Sequence, residues 1–376
     1  MAKFVLNKGV QMLFALLRGS LHNVDVVQEL FISASEADWK LCYDTAARQG
    51  VLALAWDGLS TLPKELHPPK QLKFQWGLSV DKYEAKHRHY CKTVQELQQF
   101  YREHGIVAVQ MKGVGFSANY SKPEHREGGD IDIFTYSADT SKMSHKEANL
   151  LADKLIEQMG EEVDTHSYKH SNFYFKGIPV ENHKVFLNVQ INKELLGSLN
   201  GLLLKQLNPV EVALHNGEYR ILVPSSGFNT IFISCHAFQH YGSGISLHHL
   251  YDWAVLLKNS GLKLPGEVKN ENFLRAIAAF THLSNICLGT DISLEGYPAG
   301  YSKLVDEMLE EIFKPVYTKI VPYTNKVQIL VYKTRKVFRS AKLANDVFGA
   351  SFMGRLWESV IAHVKDPSTI FSRGEK

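Results

Sequence analysis

Residues 128–136 read Gly-Gly-Asp-Ile-Asp-Ile-Phe-Thr-Tyr, and no other stretch constrains the fold of this chain as tightly. Ile131 and Ile133 alternate with Asp130 and Asp132, the period-two pattern of a strand with one buried face. Both aspartates then share the other face, their Cα atoms about 7 Å apart at the usual strand rise. Two carboxylates at that range repel each other, and one pKa rises unless a cation lies between them. A divalent metal resolves the conflict, because hard cations such as Mg²⁺ take carboxylate oxygens together with substrate phosphates. The plainer reading is a surface strand with a solvated polar face, since Asp-x-Asp alone is a weak signal.

Neighbouring segments supply partners for that pair. The β-branched run 106–111 (IVAVQM) predicts a short buried strand leading into Lys112-Gly113. There Gly113 lets the backbone approach phosphate oxygens, and Lys112 neutralises them. Glu181 stands in the run 178–183 (IPVENH), again a polar residue in an apolar strand. A third carboxylate on an adjacent strand completes a two-metal site, in which one ion activates the attacking oxygen and the other stabilises the leaving phosphate. Neither a Walker loop nor a Gly-x-Gly-x-x-Gly dinucleotide fingerprint is present.

The pattern around this centre is helical. Residues 1–103 carry apolar residues at three- and four-residue spacing, broken at Pro63, Pro68 and Pro69, and a long polar-faced helix follows that Gly105 ends. Ser144 and Glu147 form a capping-box pattern at the start of a helix in the stretch 144–160. The segment 172–191 reads as a hairpin turning at Lys176-Gly177, and from about residue 200 a helical pattern returns. The expected architecture is mixed α/β: a helical region over 1–103, an α/β core over 104–200 and a helical region over 201–376.

Composition narrows the class. Hydrophobic residues make up 45% and charged residues 22% of the 376, the balance of a soluble globular protein. A net charge of +3 implies no general affinity for nucleic acid, and nothing suggests a reader of DNA sequence. The four cysteines are far apart with no Cys-x-x-Cys pair, which argues against a cysteine zinc cluster and for reduced thiols. No signal-peptide pattern and no apolar stretch of about 18 residues is found, so a cytoplasmic protein with no membrane span is expected.

Together the motifs resemble the nucleotidyltransferase superfamily of DNA polymerase beta, with its glycine-containing loop, Asp-x-Asp strand and later carboxylate. More narrowly, they resemble an uncharacterised bacterial nucleotidyltransferase family. The residues that carry the resemblance are Lys112-Gly113, Tyr120 with Pro123 and Arg126, Gly129-Asp130-Ile131-Asp132 and Val180-Glu181-Asn182-His183, with helical segments at 38–51 and 235–257. The resemblance implies a polymerase beta-like core and transfer of a nucleoside monophosphate from an NTP to an acceptor, releasing pyrophosphate. It implies that Asp130, Asp132 and Glu181 are catalytic and hold Mg²⁺, two ions, with Mn²⁺ as a substitute. Lys112, Gly113, Arg126 and His248 fall at nucleotide-binding positions, and Arg126 serves equally well as a structural partner of Asp130. The acceptor, whether small molecule, protein or RNA, is not specified. Asn182 and His248 depart from the family pattern, which commonly has an apolar residue and an arginine there. An alternative is a nucleotide- or RNA-binding module on the same fold with weak or no catalysis.

Histidines add candidates. His236 and His240 stand four apart, a metal-like spacing, but "HAFQH" lacks the Glu of a metalloprotease helix and no third ligand is evident. A hydrogen-bonding role lining the cleft is expected. His183 shares the strand face of Glu181 and backs the site from there, or is structural; His170 is open in the same way. Trp253 reads as core, and Asp252 as the partner of a cleft cation or as a solvent-facing or capping residue. Lys314 to Lys342 is a basic stretch that reads first as a solvated helix face, and second as a surface for RNA or acidic membrane.

Overall fold

The computed structural model describes residues 7–139, 141–187, 192–242, 244–314, 321–365 and 371–372. Residues 188–191 of the expected hairpin and Lys319 of the basic stretch lie outside the described residues. Helices α1 (Lys8–His22), α2 (Glu29–Ile32), α3 (Glu36–Arg48) and α4 (Leu52–Leu59) precede the 34-residue α5 (Lys70–Glu103). Pro69 caps α5 at its start, where a missing N–H costs nothing, and Gly105 follows its end at φ 72°. In α1, Met12, Leu13, Leu16 and Leu17 are wholly buried, the spacing of a core-facing stripe.

Four strands form the central sheet in the order β1-β2-β4-β3. β1 (Ile106–Gln110) runs into the short helix α6 (Val114–Ser117) and pairs antiparallel with β2 (Ile131–Ser137). From β2 the chain crosses through α7 (His145–Gln158) and β3 (His170–Phe175) to reach β4 (Ile178–His183). β4 lies parallel to β2, a pairing that requires such a crossover. The capping box at α7 forms as its sequence predicts: Ser144 Oγ accepts the Glu147 N–H at 3.3 Å, and the Glu147 carboxylate accepts the Ser144 N–H at 2.8 Å. Lys176 (φ 51°) and Gly177 (φ 77°) turn β3 into β4, a geometry with two left-handed residues.

Beyond the sheet come α8 (Lys193–Gln206), β5 (Val210–Leu214), β6 (Tyr219–Val223), α9 (Ser226–His240), α10 (Leu247–Ser260), α11 (Glu271–Leu288), α12 (Ser302–Phe313), α13 (Lys326–Phe348) and α14 (Phe352–Lys365). The β5–β6 hairpin departs from the helical return expected at residue 200. It closes through Asn216 (φ 57°) and Gly217 (φ 88°), the residue types that tolerate such backbone. No helix among the described residues is long and apolar enough to cross a membrane.

Strand alternation divides the sheet's surroundings. Ile131, Ile133, Val180 and Phe173 face a cluster built from the second half of α5, α7 and the β5–β6 hairpin. Phe134, Val109 and Met111 belong to a larger cluster shared with α1–α4 and α8–α12. The polar positions between those apolar residues therefore open toward the seam between the sheet and the helices that follow it.

Candidate active site

Asp132 stands opposite Glu181 in the parallel register of β2 and β4, so the alternation that buries Ile131 and Val180 on one face sets both carboxylates on the other. Asp132 is wholly buried. Its Oδ1 lies 3.0 Å from Lys112 Nζ and 3.1 Å from His183 Nε2, while its Oδ2 is buried with no partner. The same His183 nitrogen is 3.4 Å from Glu181 Oε2, and His170 Nε2 approaches that oxygen at 3.6 Å. Asp130, one residue before β2, lines a cleft of about 750 Å³ with Lys112, Glu181, Asn172, His236 and His240. That volume is in the range of small-molecule sites.

The electrostatics separate the two aspartates. The Asp132 charge, then burial, push Asp130 above the usual carboxylate range. Burial acts on Asp132 in the same direction, but the Lys112 ammonium and the His183 contact outweigh it and hold the carboxyl below that range. Glu181 behaves similarly: burial raises it, the hydrogen bond to His183 lowers it, and the net shift is downward. Lys112 is raised despite its burial, because Asp132, Asp130 and Glu181 surround it. Lys169, which the sequence does not single out, is a second cation at this site, lowered by burial and by the charge of Lys112. The donor set suits a divalent ion, since Asp132 keeps an unpartnered buried oxygen and Asp132, Glu181 and His183 each offer a ligand atom within 4.8 Å of the others.

Gly113 and Arg126 shape this face from behind. Gly113 takes φ 61°, and a Cβ there would sit 3.1 Å from Gln110 Nε2, so the turn that aims Lys112 needs glycine. Gly113 is buried, and its carbonyl accepts Arg126 Nη1 at 3.0 Å. The guanidinium otherwise forks onto Asp252 of α10, Nε to Oδ1 at 2.9 Å and Nη2 to Oδ2 at 2.7 Å. Its carboxylate partner is thus Asp252 and not Asp130. Tyr120 Oη donates to the same Asp252, and His248 Nε2 lies 3.5 Å from it, with Nδ1 3.1 Å from the Gly50 carbonyl. Asp252 is buried, not solvent-facing, and Trp253 beside it is core with its Nε1–H on Thr281 Oγ1 at 3.1 Å.

His236 and His240 do meet a third imidazole, His249, which the sequence places on the next helix and which spacing alone does not reveal. Nδ1 of His249 accepts the Ser246 backbone N–H at 3.1 Å, which leaves the proton of a neutral ring on Nε2. Burial pushes His236 and His249 well below the ordinary histidine value. Of the basic stretch, Arg339 pairs with Glu311 at 2.6 Å and Lys342 approaches Glu307 at 3.6 Å.

Asn182 is fully buried on the α7 side of the sheet. Its Oδ1 accepts Thr135 Oγ1 (2.9 Å) and Asn149 Nδ2 (3.0 Å), and its Nδ2 donates to Asp153 (2.9 Å).

A crystal structure of an antigenic nucleotidyltransferase-like protein from Paracoccidioides brasiliensis is similar at 13% identity, covering 56% of this chain and 96% of that one with a TM-score of 0.36. No curated protein matches. Residues 35–289 match the family described as "Uncharacterised nucleotidyltransferase", a span that contains the sheet, its three carboxylates and the α9–α10 pair, and the chain belongs to that family.

Proposed function

We propose that the protein transfers a nucleoside monophosphate from an NTP to an acceptor in a Mg²⁺-dependent reaction, using residues 104–200 as the catalytic core. One observation carries the reading: Asp132 and Glu181 are in register on parallel strands, beside Asp130 and Lys112, with a buried Asp132 oxygen that has no partner. Asp130, Asp132 and Glu181 would hold two ions, which supply charge stabilisation at the α-phosphorus and at the departing pyrophosphate. Lys112, whose side chain is 14% exposed, meets the cleft and neutralises triphosphate oxygens there. The acceptor's nucleophile forms a bond to the α-phosphorus as the bond to the β-phosphate's bridging oxygen breaks. Arg126 and His248, which fall at nucleotide-binding positions by resemblance, act in this reading as positioning residues: both are engaged around Asp252.

The test incubates the protein with each α-³²P-labelled NTP, Mg²⁺ and a cell extract, then asks whether label reaches RNA, protein or small molecules. Wild type labels one acceptor class, and Asp130→Asn and Asp132→Asn do not. Equal incorporation by all three proteins would overturn the metal role. Nucleotide binding by calorimetry with no pyrophosphate release would make the protein a binding module instead.

A further inference from the structure

We infer that His183 is a direct nitrogen ligand to an ion held by Asp132 and Glu181, so that this position is a mixed carboxylate–imidazole site that prefers Mn²⁺ to Mg²⁺. The inference rests on the proposed metal role of the carboxylates and specifies the ion and one of its ligands.

The ring's orientation carries the argument. Both nitrogens of His183 face partners that can only accept: Nδ1 lies 3.3 Å from the Val185 carbonyl, and Nε2 faces two carboxylates. A neutral ring has one proton for the two sides, and with that proton toward Val185 its Nε2 lone pair points at two carboxylate oxygens, Asp132 Oδ1 at 3.1 Å and Glu181 Oε2 at 3.4 Å. A lone pair facing two anionic oxygens requires a cation among them, either a second proton on the ring or a metal ion. The separations suit an ion: two ligands at about 2.1 Å and at right angles around one centre lie roughly 3.0 Å apart. Asp132 Oδ2, buried with no partner, is a further acceptor on the same carboxylate. A backbone carbonyl holding the far nitrogen is the usual way a protein fixes a ligating imidazole.

The ring is also held in place. Its side chain is 1% exposed at the end of β4, with the His170 ring 5.4 Å away between centroids. His249 on α10 shows the opposite arrangement, since its Nδ1 accepts the Ser246 backbone N–H and the proton of its neutral ring is on Nε2. An imidazole among carboxylates suits Mn²⁺ and the later divalent metals, whereas Mg²⁺ is served best by oxygen alone.

The test loads the full-length protein with MnCl₂ alone and records electron spin-echo modulation of the bound ion. Wild type shows ¹⁴N modulation, which becomes ¹⁵N modulation when histidine is supplied with ¹⁵N, a measurement that needs no substitution. His183→Gln loses the modulation and binds Mn²⁺ about tenfold more weakly, and its preference for Mn²⁺ over Mg²⁺ shrinks; His170→Gln keeps the modulation. Mn²⁺ bound without histidine nitrogen, or modulation that survives in His183→Gln, overturns the inference while leaving the carboxylate site standing. Absence of Mn²⁺ binding, or binding unchanged in Asp132→Asn, overturns both.

Discussion

Arg126 forks onto Asp252 across the seam between the loop leading to β2 and helix α10, with both side chains about 4% exposed. The pair joins positions 126 residues apart and, through Arg126 Nη1 on the Gly113 carbonyl, ties α10 to the turn that carries Lys112. Removing one partner leaves a buried charge unmatched, so Asp252→Ala is expected to destabilise the fold by about 3–5 kcal/mol. Replacing both with leucine is expected to cost less than Asp252→Ala alone. Arg126→Lys cannot reproduce the fork and is expected to behave more like a deletion than a conservative change. Denaturant melts of the single and double variants measure these differences; a double variant less stable than Asp252→Ala would show that the pair's charges are not the issue.

Lys112 Nζ lies 3.0 Å from Asp132 Oδ1, the same oxygen that faces His183. Lys112→Met removes one positive charge from beside three carboxylates, and the affinity for Mn²⁺ is expected to rise by about tenfold, or roughly 1–2 kcal/mol at a partly screened site. Nucleotide transfer is expected to fall by about a hundredfold or more, because the triphosphate loses a preorganised countercharge. Titration of Mn²⁺ by electron paramagnetic resonance reads the first effect directly. Weaker ion binding in this variant would mean that Lys112 is needed to build the site and does not compete for it.

Local signals in the sequence reach some of this arrangement. The alternation of Asp130 and Asp132 with isoleucine, the polar Glu181 in an apolar run, the Ser144–Glu147 cap and the Lys176-Gly177 turn are each legible within a few residues, because strand period and turn geometry are short-range. Asp252 as the partner of Arg126, and His249 beside His236 and His240, depend on how helices pack, which no short window contains. The β5–β6 hairpin is a different kind of omission: Asn216-Gly217 between two apolar runs is a recognisable hairpin signal, outweighed in the sequence by the helical pattern around it. Asn182 looks out of place until Asn149, Thr135 and Asp153 are seen around it.

Glu127 makes stability depend on pH. Burial pushes its carboxyl up to about 7, against the opposing effect of the Leu52 N–H, which it accepts at 2.8 Å at the start of α4, and of Tyr83. Between pH 4.5, its ordinary value, and 7, the folded protein holds a proton that the unfolded chain has released. Unfolding free energy therefore falls as pH rises through that window, by about 3 kcal/mol in order of magnitude. Glu127→Gln stays neutral, and its thermal midpoint is expected to change less than that of wild type between pH 5 and pH 8. A wild-type midpoint that instead climbs over this range, with no change in slope for the variant, would remove Glu127 as the source.

Asn182 satisfies three neighbours at once on the α7 face of the sheet, two as acceptor and one as donor. Asp153 depends on it: burial pushes this carboxyl above its ordinary value, and its remaining side-chain partner is Ser171 Oγ at 2.6 Å. Asn182→Leu is expected to destabilise by about 1–3 kcal/mol, because it strands buried polar groups of Asn149, Thr135 and Asp153. Combining it with Asp153→Leu and Asn149→Leu should recover part of that loss, since replacing a whole buried network costs less than breaking it. Denaturant melts of the single and triple variants decide the matter. Because Glu181 and His183 flank residue 182 and point to the opposite face, Mn²⁺ affinity should follow strand position and drop only if β4 itself shifts. Unchanged stability in Asn182→Leu would show that the network contributes nothing to holding β4 in register with β2.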